Sequence, residues 1–162
     1  FENVSIVNGG YDALKKAGYA TTSNKESFDR STITANWQEN TYADRDYVKA
    51  ITEGKVDAML LDARAAIRYR GEQEPLDSVA GHIPTAKNFD WEQVKDGNQL
   101  VVTDSLRNAV ASNKEVVVYC GSGVTASPLY TVLKEAGHEN VKLYVGSYSD
   151  WITKYEVATG EE

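Results

Sequence analysis

The chain has 162 residues, 41% of them apolar and 25% charged, enough for one domain with a substantial core. Its 17 Lys and Arg against 24 Asp and Glu give a formal net charge of −7, and no basic run offsets it, which argues against a nucleic-acid partner. One cysteine excludes an internal disulfide and, with only two histidines, leaves no metal-ligand cluster of usual spacing; no apolar run nears the ~18 residues of a membrane span.

Residues 4–7 followed by Asn8-Gly9-Gly10 predict a strand ending in a turn, and residues 11–17 a short helix stopped at Gly18. Residues 141–148 lie over 4–11 without a gap, with Val, Gly and Tyr coinciding, as in a repeated supersecondary unit. Residues 1–20 are therefore expected to be the last strand and helix of a preceding copy. The first residue is Phe1, compatible with removal of a leader or a larger segment. Residues 21–30 are polar and read as a linker, and residues 31–162 as the main domain.

Within that domain, residues 31–37 alternate enough for an edge strand. Tyr47, Val48 and Ile51 make a helical stripe that starts near Arg45 and ends at Gly54. Ala58-Met59-Leu60-Leu61 reads as a buried strand ending in Asp62, and residues 63–69 as a helix closed by Gly71. An acidic loop containing Pro75 covers residues 72–79, and the turn Gly81-His82-Ile83-Pro84 leads into a short strand at 86–88. Asp90 and Asp104 are expected to cap two helices, the second running to about Ser112. Residues 116–119 have the composition of a strand buried on both faces. Beyond the loop that follows, Leu129, Val132, Leu133 and Ala136 form one helical stripe stopped by Gly137. A strand at 141–145 and a helix at 148–155 complete the chain. Alternation of strands and helices predicts an α/β domain with a largely parallel sheet, which binds ligands at the carboxyl ends of its strands. Cys120 stands at such an end.

The loop Cys120-Gly121-Ser122-Gly123-Val124-Thr125 is the chemical centre of the sequence. Gly121 and Gly123 let the backbone turn sharply and approach a ligand, and main-chain N–H groups before a helix stabilise an anion. Ser122 and Thr125 add hydroxyls. A lone cysteine is often a buried structural residue, but a structural cysteine needs no glycine cup. Two reaction classes use a cysteine so cradled. Cysteine-dependent phosphatases place an arginine six residues after the nucleophile, and here that residue is Ala126, which removes the main stabiliser of transition-state charge. Sulfur transfer, in which the loop holds one sulfur atom on the thiolate, remains.

Four ordered stretches resemble the rhodanese superfamily, and in particular its tandem-domain sulfurtransferases: the Cys120 loop, residues 61–71 with Asp62-Ala63-Arg64 and Arg68-Tyr69-Arg70-Gly71, Glu74-Pro75 with residues 81–88, and residues 145–151. The resemblance covers about residues 47–155. It implies an α/β fold with a central, mainly parallel five-stranded sheet flanked by helices, and a cytoplasmic enzyme without metal or organic cofactor. The chain would be the catalytic second half of a two-domain thiosulfate or 3-mercaptopyruvate sulfurtransferase, its first rhodanese-like domain missing, with no nucleic-acid or membrane partner. Cys120 would take the sulfane sulfur of a small anionic donor as a persulfide and pass it to a thiol or cyanide. Gly121, Ser122, Gly123, Val124 and Thr125 would cradle that sulfur. Arg68, at a position otherwise suited to a solvated surface charge, would bind the donor's anionic end.

The resemblance leaves the donor open. The family's mercaptopyruvate enzymes carry a second arginine after the Glu-Pro pair, where this chain has Leu76. The neutral Gly-Ser-Gly loop nevertheless looks like the mercaptopyruvate type, because thiosulfate-preferring relatives carry basic residues there. Ser122 matches a serine proposed to assist proton transfer with histidine and aspartate from the first domain. Asp62 and His82 are expected as structural supports, Asp62 tying the loop and nearby backbone. His138 is expected to be exposed, and Trp37, Trp91 and Trp151 to be packing residues. A different class stays open: a non-catalytic rhodanese-like module that carries sulfur or binds a protein partner.

Overall fold

Residues 116–119 are each at most 1% exposed, which places their strand at the centre of the molecule. The computed structural model describes residues 4–36, 38–111 and 114–161. Strand β5, Glu115–Tyr119, pairs on one side with β1, Ala58–Asp62, and on the other with β6, Val141–Leu143. Strand β2, Lys87–Asn88, adds to the far edge of β1, giving a parallel sheet in the order β2-β1-β5-β6. The register Leu60↔Val117, Leu61↔Val118 and Asp62↔Tyr119 brings the carboxyl ends of the two central strands side by side.

Side chains alternate across the sheet, so each face feeds its own core. Val116, Val118 and Cys120 join Leu106 of α4, Asp104–Ala109, and Leu129, Val132 and Leu133 of α5, Ala126–Glu135. Val117 and Tyr119 join Val48 and Ile51 of α2, Arg45–Thr52, Tyr69 of α3, Ala66–Tyr69, and Tyr148 and Trp151 of α6, Ser147–Trp151. Helix α2 is capped by Asp44, whose carboxylate accepts from the Tyr47 amide at 2.7 Å. Helix α5 stops at Gly137, φ +90°, with the His138 and Gly137 amides bonded to the Leu133 and Lys134 carbonyls as in a Schellman motif.

Several expectations are corrected. The sheet has four strands: the fifth position is a single parallel bridge, Tyr42↔Leu143, because a 3-10 turn at Glu39–Thr41 curls the chain immediately before it. Residues 31–36 form no strand, as their one large apolar side chain, Ile33, is 70% exposed and gives no face to bury; Trp37 lies outside the described residues. Residues 4–7 belong to no strand, and the helix after them, α1, is Gly10–Lys16. Asn8 substitutes for a strand, its side-chain amide exchanging two hydrogen bonds with the backbone of Leu100 at 2.9 and 2.8 Å. Thr103 rather than Asp104 caps α4, accepting from the Leu106 amide, and the helix ends at Ala109, short of Ser112, which lies outside the described residues. Asp90 caps only a 3-10 turn, Trp91–Val94. The helix after Asp62 is shorter than expected because Ala65 is extended. Strand β6 ends at Leu143, and α6 at Trp151. A small hairpin of β3, Lys95–Asp96, and β4, Gln99–Leu100, went unread in the sequence; its Gly97-Asn98 turn is a usable signal. His138 is half-buried rather than exposed, Trp91 packs against the α5-side core, and Trp151 is in the opposite core. Among the described residues no helix is long and apolar enough to cross a membrane.

Leu133 is fully buried against the sheet. Leu133→Ala is expected to cost about 2–5 kcal/mol by removing buried methyl groups and leaving a cavity, read as a lowered urea midpoint at unchanged slope.

Candidate active site

The loop after β5 owes its shape to a second segment, residues 144–149. The Ser147 hydroxyl accepts from the Cys120 amide at 3.2 Å and donates to the Tyr144 carbonyl at 2.8 Å. The Tyr148 and Ser149 amides donate to the carbonyls of Cys120 and Gly121 at 3.0 and 2.9 Å, and the Ser149 hydroxyl also reaches the Gly121 carbonyl at 2.8 Å. Ser147 is fully buried with φ +55°, a left-handed conformation that an L-residue adopts only at a cost met by these bonds. Gly123 has φ +84°, and a Cβ there would stand 2.8 Å from the Val145 carbonyl oxygen, so only glycine fits.

With its first carbonyls occupied, the loop keeps its donors. Among the described residues, none of the five main-chain amides of residues 121–125 donates to a protein acceptor. They precede helix α5, whose N-terminus favours negative charge. Cys120 is 1% exposed, so a reacting group must enter the loop to reach it. Ser122 and Val124 are exposed, and Thr125 is half-buried. Ala126 is fully buried and brings no charge.

The cation beside the loop comes from α3. The Arg68 guanidinium lies against Gly121, with Nη2 at 3.5 Å and Nη1 at 3.8 Å from the position of an added Cβ. Glu74 holds it through Nε at 3.1 Å and Nη2 at 2.7 Å. The same carboxylate accepts from Arg64 Nη1 at 3.2 Å and from the amides of Leu76 and Asp77 at 3.0 and 3.2 Å. Burial alone would raise the Glu74 carboxyl, but the Arg68 guanidinium and the two amides outweigh it and hold it below its usual range. Leu76 itself points outward, 79% exposed.

Asp62 is fully buried, and its side chain anchors Arg64, accepting from the Arg64 amide at 2.9 Å and from Nη2 at 2.7 Å. Its backbone carbonyl accepts from the Phe89 amide and from the Asn88 side-chain Nδ2. Arg64 is 2% exposed and lies 4.0 Å over the Tyr148 ring. Burial would lower its pKa, but the Asp62 carboxylate outweighs this and raises it. Burial likewise pushes the Tyr148 phenol up to about 12, and its hydroxyl donates to the Val79 carbonyl at 3.0 Å. His82 stacks on Tyr69 at 3.8 Å, its Nδ1 lies 2.7 Å from the Tyr69 carbonyl, and its backbone pairs with Ala158.

The structure thus brings Arg68 to the Cys120 loop and places Asp62 one layer back, behind Arg64. Sequence reasoning missed Arg64, Glu74, Asp77, Ser147 and Ser149. The spacing of Asp62 and Arg64 by two residues at a strand end was a signal, since such residues share a side. Ser147 lies in the 145–151 stretch that carries the family resemblance, but its role depends on a contact 27 residues away that no local pattern shows. Among the described residues, no group of three His, Cys, Asp or Glu side chains could hold a metal ion.

Glu74 links this geometry to pH. Because its folded pKa lies below the ordinary 4.5, its contribution is complete above that value and lost as pH falls through the folded pKa. Urea midpoints are expected to fall below about pH 4.5 in the native chain, and Glu74→Gln should have a lower midpoint at neutral pH with a flatter acid limb.

Comparison with known proteins places these observations. The Rhodanese-like domain family matches residues 44–154. The chain is 37% identical to a probable 3-mercaptopyruvate sulfurtransferase of Pseudomonas aeruginosa over 99% of its own length and 59% of the relative's. It is 34% identical to the putative thiosulfate sulfurtransferase SseB of Mycobacterium tuberculosis, over 92% of this chain and 54% of the relative. The crystal structure of the Tum1 protein from Saccharomyces cerevisiae matches with a TM-score of 0.79 at 20% identity, covering 95% of this chain and 60% of that one. The chain therefore spans little more than half the length of these relatives. With a parallel α/β sheet and a glycine-bearing cysteine loop at the end of its central strand, this chain belongs to the rhodanese-like domain family.

Proposed function

We propose that this domain is a sulfurtransferase working through a Cys120 persulfide. The observation that carries the reading is the loop itself: a cysteine followed by five amides that have no protein acceptor among the described residues, beside the Arg68 guanidinium. The Cys120 thiolate attacks the outer sulfur of thiosulfate; the S–S bond breaks and sulfite departs with the electron pair. With 3-mercaptopyruvate the C–S bond breaks instead, and the resulting pyruvate enolate takes up a proton. The terminal sulfur of the persulfide carries the charge, and the amides of Gly121, Ser122, Gly123, Val124 and Thr125 are the available donors for it. Attack by a thiolate or cyanide on that sulfur returns Cys120 as thiolate. Arg68 binds the donor's anionic end, while Asp62 and His82 support the fold around the loop.

Residues 1–20 are proposed to belong to a preceding rhodanese-like unit, residues 21–30 to a linker and residues 31–162 to the catalytic domain. The length of the relatives supports this, as do Val4, Ile6 and Tyr11, which are 61–75% exposed. A second reading, a sulfur carrier loaded by a protein donor, is favoured by one feature. Val124 and Val145 beside the loop are 72% and 50% exposed, more apolar surface than a small anion requires.

Intact mass after incubation with thiosulfate or 3-mercaptopyruvate is expected to rise by one sulfur atom, and not in Cys120→Ser. If neither donor labels Cys120, the small-donor reading fails; labelling by a protein persulfide alone then selects the carrier. Arg68→Ala is expected to lower kcat/KM for small donors by about tenfold or more, through loss of a charge-assisted contact. An unchanged kcat/KM would remove Arg68 from the site.

A further inference from the structure

The charges around the loop do not balance. Arg64 and Arg68 face Asp62, Glu74 and Asp77, two cations against three carboxylates within one contact network. Asp62 and Glu74 are consumed by forked bonds to the two guanidinium groups. Asp77 is the surplus. Its Oδ1 lies 2.7 Å from the Ser149 hydroxyl, whose single proton it shares in alternation with the Gly121 carbonyl at 2.8 Å, so the carboxylate sits next to the cysteine loop. Its Oδ2 is buried without a hydrogen-bond partner among the described residues and lies 3.6 Å from Arg68 Nη2, too long for a hydrogen bond but close enough to offset the cation.

From this geometry we infer that Asp77 is a specificity-determining residue, which screens Arg68 and makes the site select donors by charge, disfavouring dianions relative to monoanions. The inference rests on the sulfur-transfer reading for its substrate class, and it acts by position rather than by contact with the reacting atoms. Arg68 Nη1 forms no hydrogen bond to protein among the described residues, so it is the edge left for a donor's anionic group. A ligand bound there meets one cation flanked by two carboxylates. Repulsion from the surplus carboxylate grows with the charge on the ligand, so a second negative charge on thiosulfate is disfavoured more than the single carboxylate of a 2-oxo acid. A carboxylate oxygen buried without a hydrogen-bond partner, as Oδ2 is among the described residues, is also costly to the free protein and calls for a functional explanation.

The test compares the native chain with Asp77→Asn, Asp77→Ser and Asp77→Glu. Sulfate, an unreactive dianion, is titrated by calorimetry at low ionic strength, and steady-state rates are measured with thiosulfate and 3-mercaptopyruvate. Asp77→Asn and Asp77→Ser are expected to bind sulfate about tenfold tighter. They should also raise kcat/KM for thiosulfate by a similar factor through KM, with a change of less than about threefold for 3-mercaptopyruvate. Added salt should shrink the difference, and Asp77→Glu should keep the native donor ratio. A purely structural aspartate would give no gain of affinity. Sulfate binding unchanged or weakened in both neutral variants overturns the inference. Tighter sulfate binding by variants of a protein whose Cys120 gains no sulfur supports charge selection while overturning the sulfur-transfer reading, so the two failures are separable.

Discussion

The contacts between residues 147–149 and the main chain of Cys120 and Gly121 set the terms for the rest of the site. A backbone leaving a parallel strand has both donors and acceptors to satisfy, and here the acceptors are taken first. The carbonyls of Cys120 and Gly121 point to the α6 segment and are bonded there, and the one loop-entry amide that is also bonded, that of Cys120, goes to Ser147. Among the described residues, the five amides from Gly121 to Thr125 are left without protein acceptors. Polarity of this kind is what an anionic sulfur requires, and it arises from hydrogen-bond bookkeeping rather than from any charged side chain in the loop.

Beneath the loop lies a chain of alternating charge, Asp62–Arg64–Glu74–Arg68, most of it removed from water. Buried ion pairs of this sort are weak contributors to net stability, because desolvation offsets much of the attraction. Their value here is positional. Glu74 bonds both arginines and the backbone of the loop that follows it, so the height of Arg68 over Gly121 is set by five hydrogen bonds rather than by one flexible side chain.

The sequence carried the alternation of strands and helices, the buried central strand and the glycine loop, because each is written in local composition. Arg68 could be placed near Cys120 only through family resemblance, since no spacing rule joins a helix after β1 to a loop after β5. The expected fifth strand failed where composition alone was trusted: residues 31–36 alternate, yet lack a second large apolar side chain to hold one face down. The Asn8 pairing with Leu100 and the left-handed Ser147 were illegible for a related reason. Both are answers to tertiary neighbours 92 and 27 residues away, and local propensity contains no record of them.

The position of Ser147 in the chain also dates the assembly of the site. Cys120 and Gly121 leave the ribosome well before Ser147, Tyr148 and Ser149, and the backbone of Gly81 and His82, which packs on Ala158, waits longer still. Until residues 147–149 dock, nothing holds the loop carbonyls away, and the amides of residues 121–125 have no reason to present themselves together. Closure of the thiol cradle is thus a late event in folding, governed by contacts of long sequence separation. The nascent chain carries an ordinary cysteine, and surrounds it with an organised set of donors only after residues 147–149 have emerged and docked.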